Sequence, residues 1–245
     1  MLNLNIKGGD KMSVFVVSEH ADNKFIQLLK TIGDVILLSE NKFLNKQESC
    51  HPDMQIFKTA TDQCITAPGV SENVLKELNC YKIQALTSDE ELSPAYPENV
   101  KFNVLKAGKH LFHNTKYTSS HIKSYALKNN LNFIDVKQGY CACSSLYIPF
   151  CNLIISGDNG IINAAKANNY SVCIFEYSNE IILKGYDHGF IGGCAVVIEN
   201  GKQILFNGDV SMYPDFYEAL LSYGIKVSFI KDKPLEDVGG AICFK

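Results

Sequence analysis

Two short apolar runs split by a turn, then a helix-like stretch, then a third apolar run: this pattern returns about every 45 residues and constrains the chain more than any other feature. Four stretches show it. The first pairs 54–58 with 63–67, continues through 72–79 and ends on 81–86. The second pairs 103–106 with 109–113 across Ala107-Gly108, continues through 119–129 and ends on 132–136. The third pairs 144–148 with 152–156, then runs through 160–168 to 171–177. The fourth pairs 194–199 with 203–207 across Asn200-Gly201, a favoured hairpin dipeptide, then runs through 213–223 to 226–231. A shorter fifth unit, 13–40, reads as strand, helix, strand. No such unit buries its own apolar face, so the units must close a ring or stack. The pattern predicts one α/β domain of five ββαβ-like repeats, closed into a ring or stacked.

The bulk numbers narrow the class of function. With 245 residues the chain can bury a full core. A net charge of −3 and the lack of any Lys/Arg-rich run argue against a nucleic-acid partner. The 12 Tyr and 14 Phe are dispersed and read as core rather than as a stacking platform for bases. No apolar run approaches the roughly 18 residues of a membrane span, and no signal-peptide plan is read at the N-terminus, so a cytosolic protein is expected. Nine cysteines without a C-x-x-C pair do not make a secreted disulfide framework; most read as buried, reduced, small hydrophobes. Residues 1–11 fit the repeat poorly and are read as an N-terminal extension, with Met12 as an alternative start, leaving 12–245 as the single domain. Stretches 42–50 and 89–100 read as connectors, and Ser119 or Ser120 as a helix N-cap.

Chemistry concentrates just before the first strand of each unit. These places hold His51 and Asp53, Glu98 and Asn99, Cys141 and Cys143, and Asp187 and His188, while Gly239-Gly240-Ala241-Ile242-Cys243 closes the chain. Equivalent strand starts around an axis converge on one end of it. That predicts a pocket shared by His51, Asp53, Cys141 or Cys143, His188 and Cys243.

Each of these residues also has a plainer use. Asp53 follows Pro52 and either binds a ligand or caps the turn. His51 either carries protons or is a satisfied structural group. Cys243 is a nucleophile only with a lowered pKa, and otherwise a buried strand cysteine. On a strand, Cys141 and Cys143 would share a face about 6.6 Å apart and, with His51 or His188, could form a Cys/His zinc set. Beside an apolar run, C-x-C reads more simply as core packing, so no metal is assigned and no cofactor is expected. Gly189, Gly192 and Gly193 lack the strand–turn–helix context of a phosphate loop.

On this layout the chain resembles the pentein superfamily of guanidine-modifying enzymes, in particular the small dimethylarginine dimethylaminohydrolase type, which implies an α/β-propeller of five ββαβ-like repeats about a pseudo-fivefold axis. The phrases His51-Pro52-Asp53, Tyr96-Pro97-Glu98-Asn99, Val136-Lys137-Gln138-Gly139-Tyr140 and Gly189-Phe190-Ile191-Gly192-Gly193 are similar to those of a bacterial pentein group without an assigned activity. The resemblance implies that Asp53 holds a guanidinium and that Cys243, after Gly-Gly-x-x, is the nucleophile. The match is partial. The superfamily's third-unit acid is replaced in Val100-Lys101-Phe102-Asn103, with Glu98 upstream, and its histidine is replaced in Cys141-Ala142-Cys143-Ser144. A positioned acid or base contributes about 10²- to 10⁴-fold, so His51 or His188 has to substitute.

Two functions are expected. The first is a diverged hydrolase or transferase acting on a cationic guanidino or amidino compound. In it Cys243 or Cys143 attacks, His51 or His188 moves protons, and Asp53, Cys141, Asn103, Glu98 and Asp187 contact substrate. The alternative is a pocket that has lost catalysis and binds a ligand or protein, as the ribosome-binding initiation factor of the same fold does.

Overall fold

The structure, a computed structural model, describes residues 13–176, 181–198 and 201–244. The extension expected over 1–11 and the Asn200-Gly201 turn position Asn200 lie outside the described residues. Fifteen strands form five three-stranded sheets. In the second unit β3 (Ile56–Ala60) pairs antiparallel with β4 (Gln63–Thr66), which pairs parallel with β5 (Gln84–Thr87) across helix α3 (Glu72–Cys80). The third unit repeats this with β6 (Leu105–Ala107), β7 (His110–His113), α4 (Ser120–Lys128) and β8 (Asn132–Asp135). The fourth uses β9 (Ser145–Ile148), β10 (Leu153–Ser156), α6 (Asn159–Ala167) and β11 (Ser171–Ile174). The fifth uses β12 (Ala195–Ile198), β13 (Gln203–Phe206), α7 (Pro214–Ser222) and β14 (Lys226–Phe229).

The short unit is completed from the far end of the chain. Strand β1 (Ser13–Ser18) pairs parallel with β2 (Gly33–Leu38) across α1 (Asn23–Lys30) and antiparallel with β15 (Ala241–Phe244), in the register Phe15 to Cys243 and Val17 to Ala241. Inner strands of successive units touch: β6 meets β9, β9 meets β12, and β12 meets β15. Middle strands β10 and β13 are buried along their whole length, while third strands such as β5 and β8 are largely exposed. The apolar clusters lie between sheets and helices, as in the layer of Phe15, Phe25, Leu29, Val196 and Cys243.

Local sequence explains the regularity. Asp22, Ser71, Ser119 and Asp158 cap helices α1, α3, α4 and α6 by accepting a backbone N–H with the side chain. Four helices end two residues before a left-handed residue, Lys82, Asn130, Asn169 or Gly224, at φ of 60°, 52°, 61° and 73°. That conformation releases the chain from the helix into the third strand.

Before the inner strands the chain does not run straight. A helical turn, α2 (Pro52–Gln55), precedes β3, another, α5 (Cys141–Ser144), precedes β9, and a tight 3-10 turn Gly192–Cys194 precedes β12. Cys141 and Cys143 therefore stand on a helical turn, not on the strand expected from their spacing. Residues two apart on such a turn face different ways.

Candidate functional site

The turn α2 begins with Pro52, whose fixed φ suits a first helical position, and Met54 closes it by donating its N–H to the His51 carbonyl at 3.2 Å. This sets His51 and Asp53 beside each other ahead of β3. The turn α5 is held from the third unit by Asn103. Its side-chain oxygen accepts the N–H groups of Ala142 (2.8 Å) and Cys143 (3.1 Å), and its amide donates to Cys143 Sγ at 3.0 Å. Asn103 is fully buried and makes further contacts to the Asp53 carbonyl (3.3 Å) and Met54 Sδ (3.2 Å). It is thus the clasp between the two turns.

The clasp brings together ligating atoms of His51, Asp53 and Cys143 that all lie within 4.8 Å of one another. All three residues are buried, with exposures of 4%, 9% and 3%. His51 Nδ1 and both carboxylate oxygens of Asp53 are buried without a hydrogen-bond partner. The Cys143 thiol and Asn103 amide come near enough to ease the charge on Asp53 but do not bond its oxygens.

Burial sets the protonation of the cluster. It pushes Asp53 up to about 8, with the Asp237 charge adding to the rise. Burial lowers His51 to about 4 and pushes the Cys143 thiol well above its ordinary value, with Asp53 and Asp237 adding to the latter. At neutral pH the site thus holds a carboxylic acid, a neutral imidazole and a thiol. Asp237, raised by burial to about 6 and eased by the backbone N–H groups of Gly239 (3.0 Å) and Phe190 (2.8 Å), is the ionised group. Its Oδ1 lies 3.8 Å from His51 Nδ1. Two glycines make this approach possible. A Cβ on Gly193 would strike the Asp237 carboxylate, and one on Gly239, at φ 73°, would strike His51.

Above the cluster lies a cavity of about 220 Å³, bordered by His51, Cys143 and Asp237 and by Tyr140, Phe190 and His188. Glu48 sits in its wall, buried, and accepts from Asn99 (2.9 Å), Tyr186 (2.7 Å) and Tyr140 (3.3 Å). Tyr140 is stacked between Tyr96 and Phe190, with ring centroids 5.9 and 6.1 Å away. His188 meets the edge of Phe190 at 5.8 Å, and exposed Asp187 also borders the cavity.

The remaining expected residues lie elsewhere. Cys141 packs with Leu105, Phe112 and Ile154 and donates its S–H to the Gln138 carbonyl at 3.2 Å. Glu98 is half exposed and paired with Lys101 at 2.8 Å. Cys243 sits in the apolar layer against α1 and borders a different cavity of about 250 Å³, which Asp53 also borders. Conversely, Asp237, Glu48, Tyr140 and Tyr186 escaped the residue-by-residue reading. Asp237 stands two places before Gly239-Gly240, so proximity to that pair was the available signal; Glu48 sits in a polar connector that gave none.

Chemically, the cluster offers a nucleophile, a proton acceptor and an acid whose two empty oxygens can accept a planar donor once ionised.

Comparison with known proteins adds the fold's relatives. Curated proteins give no match. Among solved structures, a mutant of DDAH from Pseudomonas aeruginosa, complexed with citrulline, superposes with a TM-score of 0.60 at 11% identity, covering 95% of this chain and 97% of that one. The inosamine-phosphate amidinotransferase of Streptomyces griseus gives 0.56 at 11% identity, covering 89% and 75%. A saxitoxin-pathway amidinotransferase from Microseira wollei gives 0.54 at 11% identity, covering 88% and 87%. With its five three-stranded units, the chain has the pentein fold that it resembles in sequence. Residues 16–242 match the model of the family described as a family of unknown function, DUF6873, and the chain belongs to that family.

Proposed function

We propose that the chain is a small-molecule hydrolase or transferase of the guanidine-modifying type, with Asp53 holding a guanidino or amidino cation, Cys143 attacking its central carbon and His51 moving protons. The observation that carries this reading is the buried Asp53 carboxyl with both oxygens unpartnered, beside a thiol and an imidazole within 4.8 Å. A guanidinium donates two parallel N–H groups to such a carboxylate, and its arrival favours ionised Asp53. The fold neighbours support the same chemistry, since two are amidinotransferases and the DDAH structure holds citrulline. No helix among the described residues is long and apolar enough to cross a membrane.

In this reading Cys143 passes its proton to His51 and forms an S–C bond to the guanidino carbon. The C–N bond to the leaving amine then breaks, and the amine departs with the proton from His51. Water, or an acceptor amine, then attacks the thiouronium carbon and gives its proton to His51, and the S–C bond breaks to release the Cys143 thiolate, which takes that proton back. Asn103 supports the thiolate through its N–H on Sγ. Glu48, Tyr140 and Phe190 form the wall against which the rest of the substrate lies.

The high pKa of the Cys143 thiol favours a second reading, a pocket that binds the cation without turning it over. Arginine, agmatine, methylated arginines and guanidino acids, offered to metal-free protein, separate the two by thermal shift and by release of ammonia, alkylamine or urea. Release abolished in Cys143→Ser supports the enzyme; a shift lost in Asp53→Asn with no release in the parent supports the binder. No shift with any cation contradicts both.

A further inference from the structure

His51, Asp53 and Cys143 present a nitrogen, an oxygen and a sulfur donor to one point, each from a side chain at least nine-tenths buried. An all-oxygen cluster suits hard ions such as magnesium or calcium. A mixed N, O and S set selects a borderline-soft ion. A second observation is independent of the residue types. Both Asp53 oxygens and His51 Nδ1 lack hydrogen-bond partners, whereas buried polar groups in folded proteins almost always have one. A planar cation partners only the carboxylate, while a metal ion engages all three side chains at once.

We propose that His51, Asp53 and Cys143 form a binding site for a divalent ion of the zinc class, with three protein ligands and a remaining position open to the cavity. Zinc bond lengths of about 2.0 to 2.3 Å place tetrahedral donors about 3.3 to 3.8 Å apart, so donors now within 4.8 Å close by about 1 Å or a little more. Asp237 is the positioning residue. Its Oδ1 lies 3.8 Å from His51 Nδ1, so its charge orients the imidazole and supports it as a ligand. The N–H that Asn103 donates to Cys143 Sγ supports a thiolate in the same way. Cys143 gives its proton to solvent on binding.

Among the described residues the other grouping of this kind, Glu19, His20 and Cys50, has two exposed members, and its Cys50 thiol already reaches Glu19 Oε1 at 3.6 Å. It supplies the control. Since the ion takes Asp53 and Cys143, it and a guanidino ligand exclude each other. The metal site shares the geometry of the proposed function but stands on the orphaned donors, whatever the organic ligand proves to be.

The full chain, reduced and freed of metal by a chelator that is then removed, is titrated with Co²⁺ as a spectroscopic probe. The expected result is a sulfur-to-cobalt charge-transfer band that saturates at one equivalent and is displaced by Zn²⁺. Cys143→Ser loses the band, Asp53→Asn weakens Co²⁺ binding at least about tenfold, and Asp237→Asn weakens it about 10- to 100-fold. Cys50→Ser leaves it unchanged. One equivalent of Zn²⁺ also protects Cys143 from alkylation in the parent protein, read by peptide mass mapping, so the outcome stands even where a variant fails to fold. A parent with no saturable band, a band that survives Cys143→Ser or vanishes in Cys50→Ser, or protection of a different thiol overturns the proposal. The titration contains no guanidino compound, so failure to bind guanidines leaves it standing, and failure of the cobalt titration leaves the guanidine reading standing.

Discussion

Replacing Asp53 by Asn changes how stability depends on pH, and the size of the change follows from burial. The carboxyl titrates near 3.8 in an unfolded chain and near 8 in the folded one. Between those values the folded state binds the extra proton, so stability falls as pH rises, by about 1.4 kcal/mol per pH unit. Three other buried groups titrate in the same range. Asp237, raised from 3.8 to about 6, also lowers stability as pH rises through that window, while His51 and His113, each lowered from 6.5 to about 4, raise it. These contributions are common to the parent and to Asp53→Asn, so the difference between the two proteins isolates Asp53. From pH 4 to pH 7 the parent therefore loses about 4 kcal/mol relative to Asp53→Asn, three pH units at the slope just given. Urea unfolding of both proteins at half-unit pH steps, in buffer containing chelator, measures this directly. Stability curves that run parallel from pH 4 to pH 8 would refute the burial of a lone carboxyl at this place.

Other outcomes follow from the same geometry. A guanidino ligand binding at pH 7 releases close to one proton, because Asp53 is protonated when free and ionised when bound; calorimetry in buffers of different ionisation heat should show it, and heats independent of buffer speak against the pairing. Asn103→Ala leaves the Cys143 N–H without an acceptor and the Ala142 N–H with only the residue-103 carbonyl at 3.3 Å, costing about 1–3 kcal/mol by denaturant unfolding, whereas a loss under about 0.5 kcal/mol contradicts its role as clasp. Gly193→Ala drives a methyl into the Asp237 carboxylate and costs about 1–3 kcal/mol, accompanied by a shift in the His51 titration read by NMR; an unshifted His51 counts against the contact. In the ligand-free protein, exposed Cys80 is alkylated well before Cys143, whose thiol is held protonated by burial, and the reverse order contradicts that environment.

Much of the architecture was legible because its signals are local. Alternating apolar runs marked the strands, the Ser119-Ser120 pair marked a helix start, and the repeat itself demanded that the units close a ring or stack. Closure of the ring was not legible, since β15 completes the first unit only by pairing across nearly the whole chain, and no periodicity carries that partner. In the site, His51, Asp53 and the pairing with Cys143 were reachable from the common place of these residues before inner strands. The tight turns α2 and α5 were not, because 52–55 and 141–144 are each a single helical turn, too short to show a helical period, and their true hold is the Asn103 side chain. That error of local conformation is why Cys141 seemed a twin of Cys143, although one thiol faces the core and the other the cavity. Asp237 and Glu48 come from connectors, where sequence alone does not say which polar residues turn inward.

The most direct measurement of the proposed chemistry is the search for the bond it requires. Metal-free protein is mixed with a guanidino compound that it turns over, quenched in acid within the first turnovers and mapped by peptide mass. The adduct expected is the substrate's amidino carbon on Cys143, present in the parent and absent from Asp53→Asn. Turnover with no adduct at Cys143, or an adduct on Cys243 instead, would contradict the assignment of nucleophile and site together.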